Sequence, residues 1–265
     1  MSREANPMSR ATVRLNGLLT MLRREYGRII RIWGQTLVPP AITSSLYFVI
    51  FGGLIGQRVG AFNGIPYMQF IAPGLIMQAV ITTSYGNVVS SFFGAKFGKH
   101  IEEVLVAPLP PTIILLGYLG GGLLRGFLVG GIVTIVTLLF THLHVMHPWL
   151  VVASVVLTSL TFALGGFINA VFAKTFDQIN WFPTFVLTPL TYFGGVFYSI
   201  SVLPGWAQSL SRLNPVLYMV NTFRYGFYGH SDVDVVWAFS LMTLVVAAMF
   251  ALAHTLLVRG TGIRD

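Results

Sequence analysis

Apolar residues gather in six long runs, near residues 36–56, 70–94, 113–140, 148–173, 181–200 and 235–258, separated by shorter polar connections. Each run is close to the roughly 20 residues that an α-helix needs to cross a bilayer, so the pattern predicts six transmembrane helices. Two other segments show helical periodicity without that length. From Leu18 to Trp33, Leu18, Leu19, Leu22, Ile29 and Ile30 interleave with Arg23, Arg24, Arg28 and Arg31. This suits an amphipathic helix lying in the membrane interface, with Trp33 at the headgroup level. Residues 1–17 ahead of it are polar and expected to be disordered at the start.

The second such segment, Lys96 to Pro111, reads KFGKHIEEVLVAPLPP. As one helix it places Phe97, Ile101, Val104 and Leu105 on one side and Lys99, Glu102 and Glu103 on the other. Pro108, Pro110 and Pro111 stop it, because proline cannot donate the next backbone bond and clashes with the preceding turn. Ser201 to His230 is too polar and proline-broken to span, yet too apolar for an ordinary loop. Two short helices fit there, after Pro204 and after Pro215, with proline tolerated in each first turn. Dipping into the outer leaflet and returning, they would cap a cavity on the outer side.

Composition agrees with a membrane protein. The chain has 265 residues, 55% hydrophobic and 9% charged, with mean hydropathy +0.77, whereas a soluble domain carries about 25% charged residues. The net charge of +8 does not point to nucleic acid, because seven of the sixteen Lys/Arg precede Thr36 and most others flank apolar runs. The N-terminus, 95–112, 174–180 and the tail hold twelve basic residues, against Arg58, Arg212 and Arg224 in the alternate connections. By the positive-inside rule both termini are cytoplasmic. The layout is a cytoplasmic N-terminus (1–35), a six-helix transmembrane domain (36–258) and a cytoplasmic tail (259–265). No cleavable signal peptide is evident. The absence of cysteine removes disulfides, thiolate nucleophiles and Cys-ligated metals.

Few residues carry candidate chemistry. No G-x-x-x-x-G-K-[ST] phosphate cradle occurs; the string from Gly94 to Lys99 has the wrong spacing. No Asp or Glu falls inside a run, which weighs against an ion-coupled carrier. Arg125 is the one ionisable residue well inside a run, and placing it there costs on the order of 3 kcal/mol. It is expected to face protein or water and to pair with carbonyls or an acid, either in a polar translocation path or as a clamp within the bundle. Gly117, Gly121, Gly122, Gly126 and Gly130 form overlapping G-x-x-x-G spacings that allow close helix approach. His142, His144 and His147 lack a nearby carboxylate or Cys and make a poor metal site. No G-x-S-x-G elbow supports triad catalysis. In the fifth run Phe182, Phe185, Tyr192 and Phe193 sit near one helical face, and Pro183 and Pro189 bend it.

Order, spacing and topology together resemble the permease subunits of type-2 ABC exporters. The features that carry this are the basic leader helix, Glu-Glu-x-Leu-x-x-x-Pro at 102–108, and a hairpin with Asn214-Pro215 followed by Arg224. The segments YMQFIAPGLIM, SSFFGAKF, FVLTPLTYFGGVFYS and RYGF are particularly similar to the YadH-like branch of bacterial inner-membrane permeases. The resemblance covers nearly the whole chain after about residue 20. It implies an all-α integral membrane protein with an interfacial helix, a cytoplasmic coupling helix and a re-entrant hairpin. It further implies a homodimer in the bacterial inner membrane, in contact with lipid and bound to two copies of a separate ABC ATPase subunit. That subunit would hold ATP and magnesium, with no cofactor in this chain. The residues matching the ATPase contact are Lys99, His100, Glu102 and Glu103, with Arg23, Glu25 and Arg28 on the leader; Arg125, Phe185, Tyr192 and Arg224 are expected at the path or gate. A secondary carrier or channel without an ATPase, and a non-transporting scaffold, are the alternatives.

Overall fold

A computed structural model describes residues 10–62 and 64–262. The expected disorder at residues 1–9 and the tail residue Arg264 fall outside these described residues. The first helix, α1 (Arg10–Arg31), begins ahead of Leu18, because the polar run before it contains no proline after residue 7 and simply continues the helix. A bend at Ile32 leads into α2 (Trp33–Tyr47), which runs on through a π-helical stretch (Phe48–Ile55) into the short α3 (Gly56–Val59). A small antiparallel ribbon, β1 (Ala61–Phe62) and β2 (Ile65–Pro66), follows; the apolar pattern gave no hint of it.

The longest helix, α4 (Tyr67–Phe97), then enters the middle of the molecule, and α5 (Ile101–Val106), α6 (Pro111–Phe140) and α7 (Pro148–Phe172) succeed it. The fifth apolar run is not one helix. It comprises α8 (Phe176–Phe182), a π-helical stretch (Pro183–Leu187) and α9 (Thr188–Tyr192), and the chain leaves helix at Phe193 rather than near residue 200. Pro189 lacks an N–H for the carbonyl of Phe185, and the Thr188 N–H closes instead on Pro183 O, five residues back. Gly195, at φ 70°, then turns the chain in a conformation that favours glycine. As the prolines predict, α10 (Gly205–Arg212) and α11 (Pro215–Tyr228) form the hairpin, and α12 (Val235–Arg259) completes the chain.

Four helical segments among the described residues are long and apolar enough to cross a membrane: Trp33–Gly53, Pro111–Phe140, Pro148–Phe172 and Val235–Arg259. α4 is longer than any of them but carries Gln78, Thr82, Thr83, Ser84, Asn87, Ser90 and Ser91. It can afford them because it is wrapped by α6, α7, α11 and α2.

Small residues set those contacts. A Cβ built on Gly122 of α6 would lie 2.8 Å from the Ala163 Cβ of α7, and one on Gly126 would strike the hydroxyls of Ser159 and Ser84. Gly166 brings α7 against the backbone of Tyr85 in the same way. Where apolar surface gains nothing by leaving lipid, such backbone approach is the main source of helix association.

The same glycine face of α6 receives α1. Met21, Leu22 and Glu25 lie on Gly117, Gly120 and Gly121, so α1 runs beside the first half of α6. Its other flank keeps Leu15, Leu19, Tyr26 and Ile30 exposed. Glu25 is only 1% exposed. Its carboxylate accepts from Arg28 Nη2 at 2.9 Å, from Asn87 Nδ2 at 3.4 Å and from the Ser91 hydroxyl. Arg28 also donates to Asn87 O, Asn87 Oδ1 and the Ser90 hydroxyl. Burial of the carboxylate, which alone costs several kcal/mol, is thereby offset.

Two outcomes follow for the purified chain in neutral detergent. Gly126→Leu, which forces a side chain between α4 and α7, lowers stability by about 1–3 kcal/mol or more, while Gly131→Leu, at an exposed position whose Cβ meets nothing within 4 Å, leaves the melting temperature unchanged. Glu25→Ala strands the Arg28 charge, costs about 3–5 kcal/mol, and makes limited trypsin digestion cut within α1 faster than in wild type.

Candidate functional site

The end of the molecule bearing α5 is built by a break in the chain. α4 stops at Phe97, and Lys99 takes a left-handed conformation (φ 58°), unique among non-glycine described residues. That conformation costs on the order of 1 kcal/mol, and it turns α5 away from the axis of α4. The expected single helix from Lys96 is therefore two pieces. Phe97, expected to share the buried side with Ile101, is exposed, stacked on Phe93 and edge-on to Phe176, because the break rotates it off the α5 face.

Within α5 the predicted faces hold. Ile101 is buried, Val104 and Leu105 are half-buried, and Glu102 and Glu103 are exposed. His100 and Lys99 are exposed as well, with His100 Nδ1 3.8 Å from Glu103 Oε1. The platform is tied down at Lys96, whose Nζ donates to Val171 O at 2.6 Å and to Ala173 O at 2.9 Å. These are carbonyls left open at the end of α7, where a cation also meets the negative end of the helix dipole. A cleft of about 490 Å³ opens between the two helix ends, with Lys99, Glu102, Lys174 and Phe172 on its walls. Of the three leader residues expected to face a partner, only Arg23 is exposed. Glu25 is buried in this chain and Arg28 is committed to Asn87, Ser90 and Glu25, because the α6 glycines draw that face of α1 inward.

A second feature is a groove of about 310 Å³ between α2 and α4, lined by Pro39, Thr43, Tyr47, Gln78, Thr82 and Thr83. On α4 the positions Gln78, Thr82, Gly86 and Ser90 repeat every four residues and form its least covered stripe. Tyr192, expected on the path, is exposed and lies within side-chain reach of Tyr47, itself beside Gln78 at the groove mouth. Phe185, also expected there, is 64% exposed and lines a separate apolar groove with Leu210 of α10 and Leu213 just after it. Of that aromatic set only Phe182 packs inward, stacked on Tyr85 at 5.3 Å. Arg125 lies partly buried on α6, near enough to Arg28 for their charges to repel. It does not meet the expected carbonyl or acidic partner: its Nε is buried and unbonded.

Arg224, the last residue expected at the path or gate, is 2% exposed and sealed in protein. Its Nη2 donates to Gly195 O at 2.7 Å, its Nε to Phe70 O at 3.3 Å, and its guanidinium carbon stands 3.9 Å over the Phe70 ring. It thus joins α11, the start of α4 and the turn after α9. Nearby, Asp232 accepts from the Ser199 hydroxyl and Ile200 N, and its own N–H donates to Asn221 Oδ1. Asn214 caps α11 through Val216 N and reaches back to Leu190 O at 2.6 Å. Of the histidines at the opposite end from α5, His147 stacks on Tyr225, and no group of three His, Cys, Asp or Glu is poised for a metal among the described residues.

Sequence reasoning missed Asn87, Ser91, Tyr47, Gln78 and Asn221. The available signal was polar residues recurring at helical spacing inside runs otherwise fit for lipid, as with Asn87 and Ser91, four apart on α4.

Comparison with known proteins shows the family. The ABC-2 type transporter family matches residues 16–228. The inner membrane transport permease YadH of Escherichia coli strain K12 is 54% identical over 249 residues, which cover 94% of this chain and 97% of that protein. Nodulation protein J of Rhizobium leguminosarum bv. viciae is 24% identical over 95% of this chain and 98% of its own length. The corresponding protein of Sinorhizobium fredii strain NGR234 is 26% identical over 78% of this chain and 79% of its own. With a family match over most of its length and a relative this similar end to end, the chain belongs to the ABC-2 type transporter family.

Proposed function

We propose that this chain is the membrane-spanning subunit of an ATP-driven exporter in the bacterial inner membrane. Two copies form the path, and separate ABC ATPase subunits, which hold the ATP and magnesium, dock on the α5 end. The observation that carries this is the α5 platform: an acidic pair, Glu102 and Glu103, held outward on a short helix anchored by buried Ile101. The abundance of Lys and Arg at that end supports a cytoplasmic side for it and for both termini. Six crossings result when α4 and the broken α8–α9 join the four apolar segments. The α10–α11 hairpin then re-enters from the outer side, and residues 1–35 and 259–265 are cytoplasmic.

The geometry explains how force would pass. α5 is continuous with α4 through Lys99 and with α6 through Pro108–Pro111, and Lys96 ties the same corner to α7. The Leu109 side chain lies on Gly17, so α1 follows. Movement of α5 by closing ATPase subunits therefore moves α1, α4, α6 and α7 together. ATP drives this only as far as it binds one arrangement of the complex better than the other. The groove between α2 and α4, with Tyr47, Gln78, Thr82 and Tyr192, faces the partner copy and lines the path.

Charge reversal tests the platform. Glu102→Lys combined with Glu103→Lys is expected to lower recovery of the ATPase subunit in co-purification at least tenfold, a change of about 1.4 kcal/mol, without altering membrane insertion or the melting temperature of the permease. Normal recovery of the ATPase would mean that α5 is only a solvated connection.

A further inference from the structure

Charge does not balance where α1, α4 and α6 meet. Arg24 and Arg28 flank Glu25 there, Arg125 lies near Arg28, and Glu25 is the only carboxylate on α1, α2, α4, α6 or α7 among the described residues. The remaining described acids, Glu102, Glu103, Asp177, Asp232 and Asp234, lie on α5, on α8 or ahead of α12. Glu25 is spent on Arg28 at 2.9 Å, and Arg24, 3.6 Å from the same carboxylate, is 44% exposed and can reach water. Arg125 is left with no carboxylate, beside a second guanidinium that repels it. The Nε atoms of both Arg28 and Arg125 are buried and have no hydrogen-bond partner.

Position along α6 shows what surrounds this charge. Arg125 lies one turn beyond Gly121, which rests on Glu25 and Asn87, and next to Gly126, which rests on Ser84. The site thus sits between α1 and the polar face of α4, about one turn along α4 from Thr83, where the α2–α4 groove ends. A guanidinium in the apolar layer without a counter-charge is costly, and the described residues offer it none. Arginine, with its planar fork of donors, is the side chain best suited to phosphate.

We infer that Arg28 and Arg125 together form a binding site for the phosphate of an anionic amphiphile, whose apolar part extends into the groove between α2 and α4. The missing negative charge comes from this ligand, and its oxygens meet the Nη atoms of Arg125, which bond to no described residue, with the Arg28 charge beside them; the two Nε atoms stay covered. The site concerns binding alone and does not require the ATPase pairing proposed above.

The test uses the full chain purified in neutral detergent, with thermal melting read against added lipid. At a hundredfold excess over its Kd, phosphatidylglycerol is expected to raise the wild-type melting temperature by about 5 °C or more, whereas phosphatidylcholine has little effect. In Arg125→Gln the phosphatidylglycerol shift is lost, and in Arg125→Lys, which keeps the charge but not the fork, it is reduced. Inorganic phosphate separates the sources: if it reproduces the shift, a free phosphate suffices, and if it does not, a lipid-borne headgroup is required. An equal phosphatidylglycerol shift in wild type and Arg125→Gln overturns the inference. So does an Arg125→Gln variant that melts well below wild type without lipid, since that result marks an internal clamp.

Discussion

Helices in a bilayer gain little by hiding apolar surface from one another, so they hold together where their backbones come close enough for dispersion and polar contact. In this chain that requirement falls mainly on one face of α6. Gly122 and Gly126 admit α4 and α7, and Gly117, Gly120 and Gly121 admit α1. No other helix meets so many partners through missing side chains, and the remaining elements are placed by what those contacts allow.

One result is that polar groups sit deep in the structure without loosening it. Asn87 and Ser91 on α4 have Glu25 and Arg28 as partners only because Gly121 lets α1 approach. At the opposite end Arg224 and Asp232 organise the hairpin, there through backbone carbonyls and amides rather than a direct ion pair. Each network joins segments far apart in sequence, and each turns a costly buried charge into a tie between helices.

Much of this was legible in the sequence because it is local. Apolar run lengths located the long helices, Pro204 and Pro215 located the hairpin, the G-x-x-x-G spacings located the packing face, and the α5 periodicity gave the outward side of Glu102 and Glu103. What failed depends on distant partners or on backbone conformation that side-chain type does not announce. Glu25, flanked by arginines, looks like a surface residue; its burial rests on Asn87 and Ser91, 62 and 66 positions away. Arg224 looks like a path residue until Phe70, 154 positions earlier, is seen beneath it. The break at Lys99 could not be foreseen from lysine, which rarely adopts a left-handed conformation, and only neighbouring Gly98 hinted at it.

The π-helical stretch from Pro183 to Leu187 has a mechanical meaning of its own. A π turn contains one residue more than the α turn it replaces, so it stores chain length inside a helix. If that surplus residue moves along the segment, each position it passes turns by about 100° around the axis while the ends stay in place. Tyr192 stands at the close of this segment, beside Tyr47. A helix with such a surplus residue has a route to turn its side chains by passing a dislocation along its length, which needs neither a hinge nor unfolding.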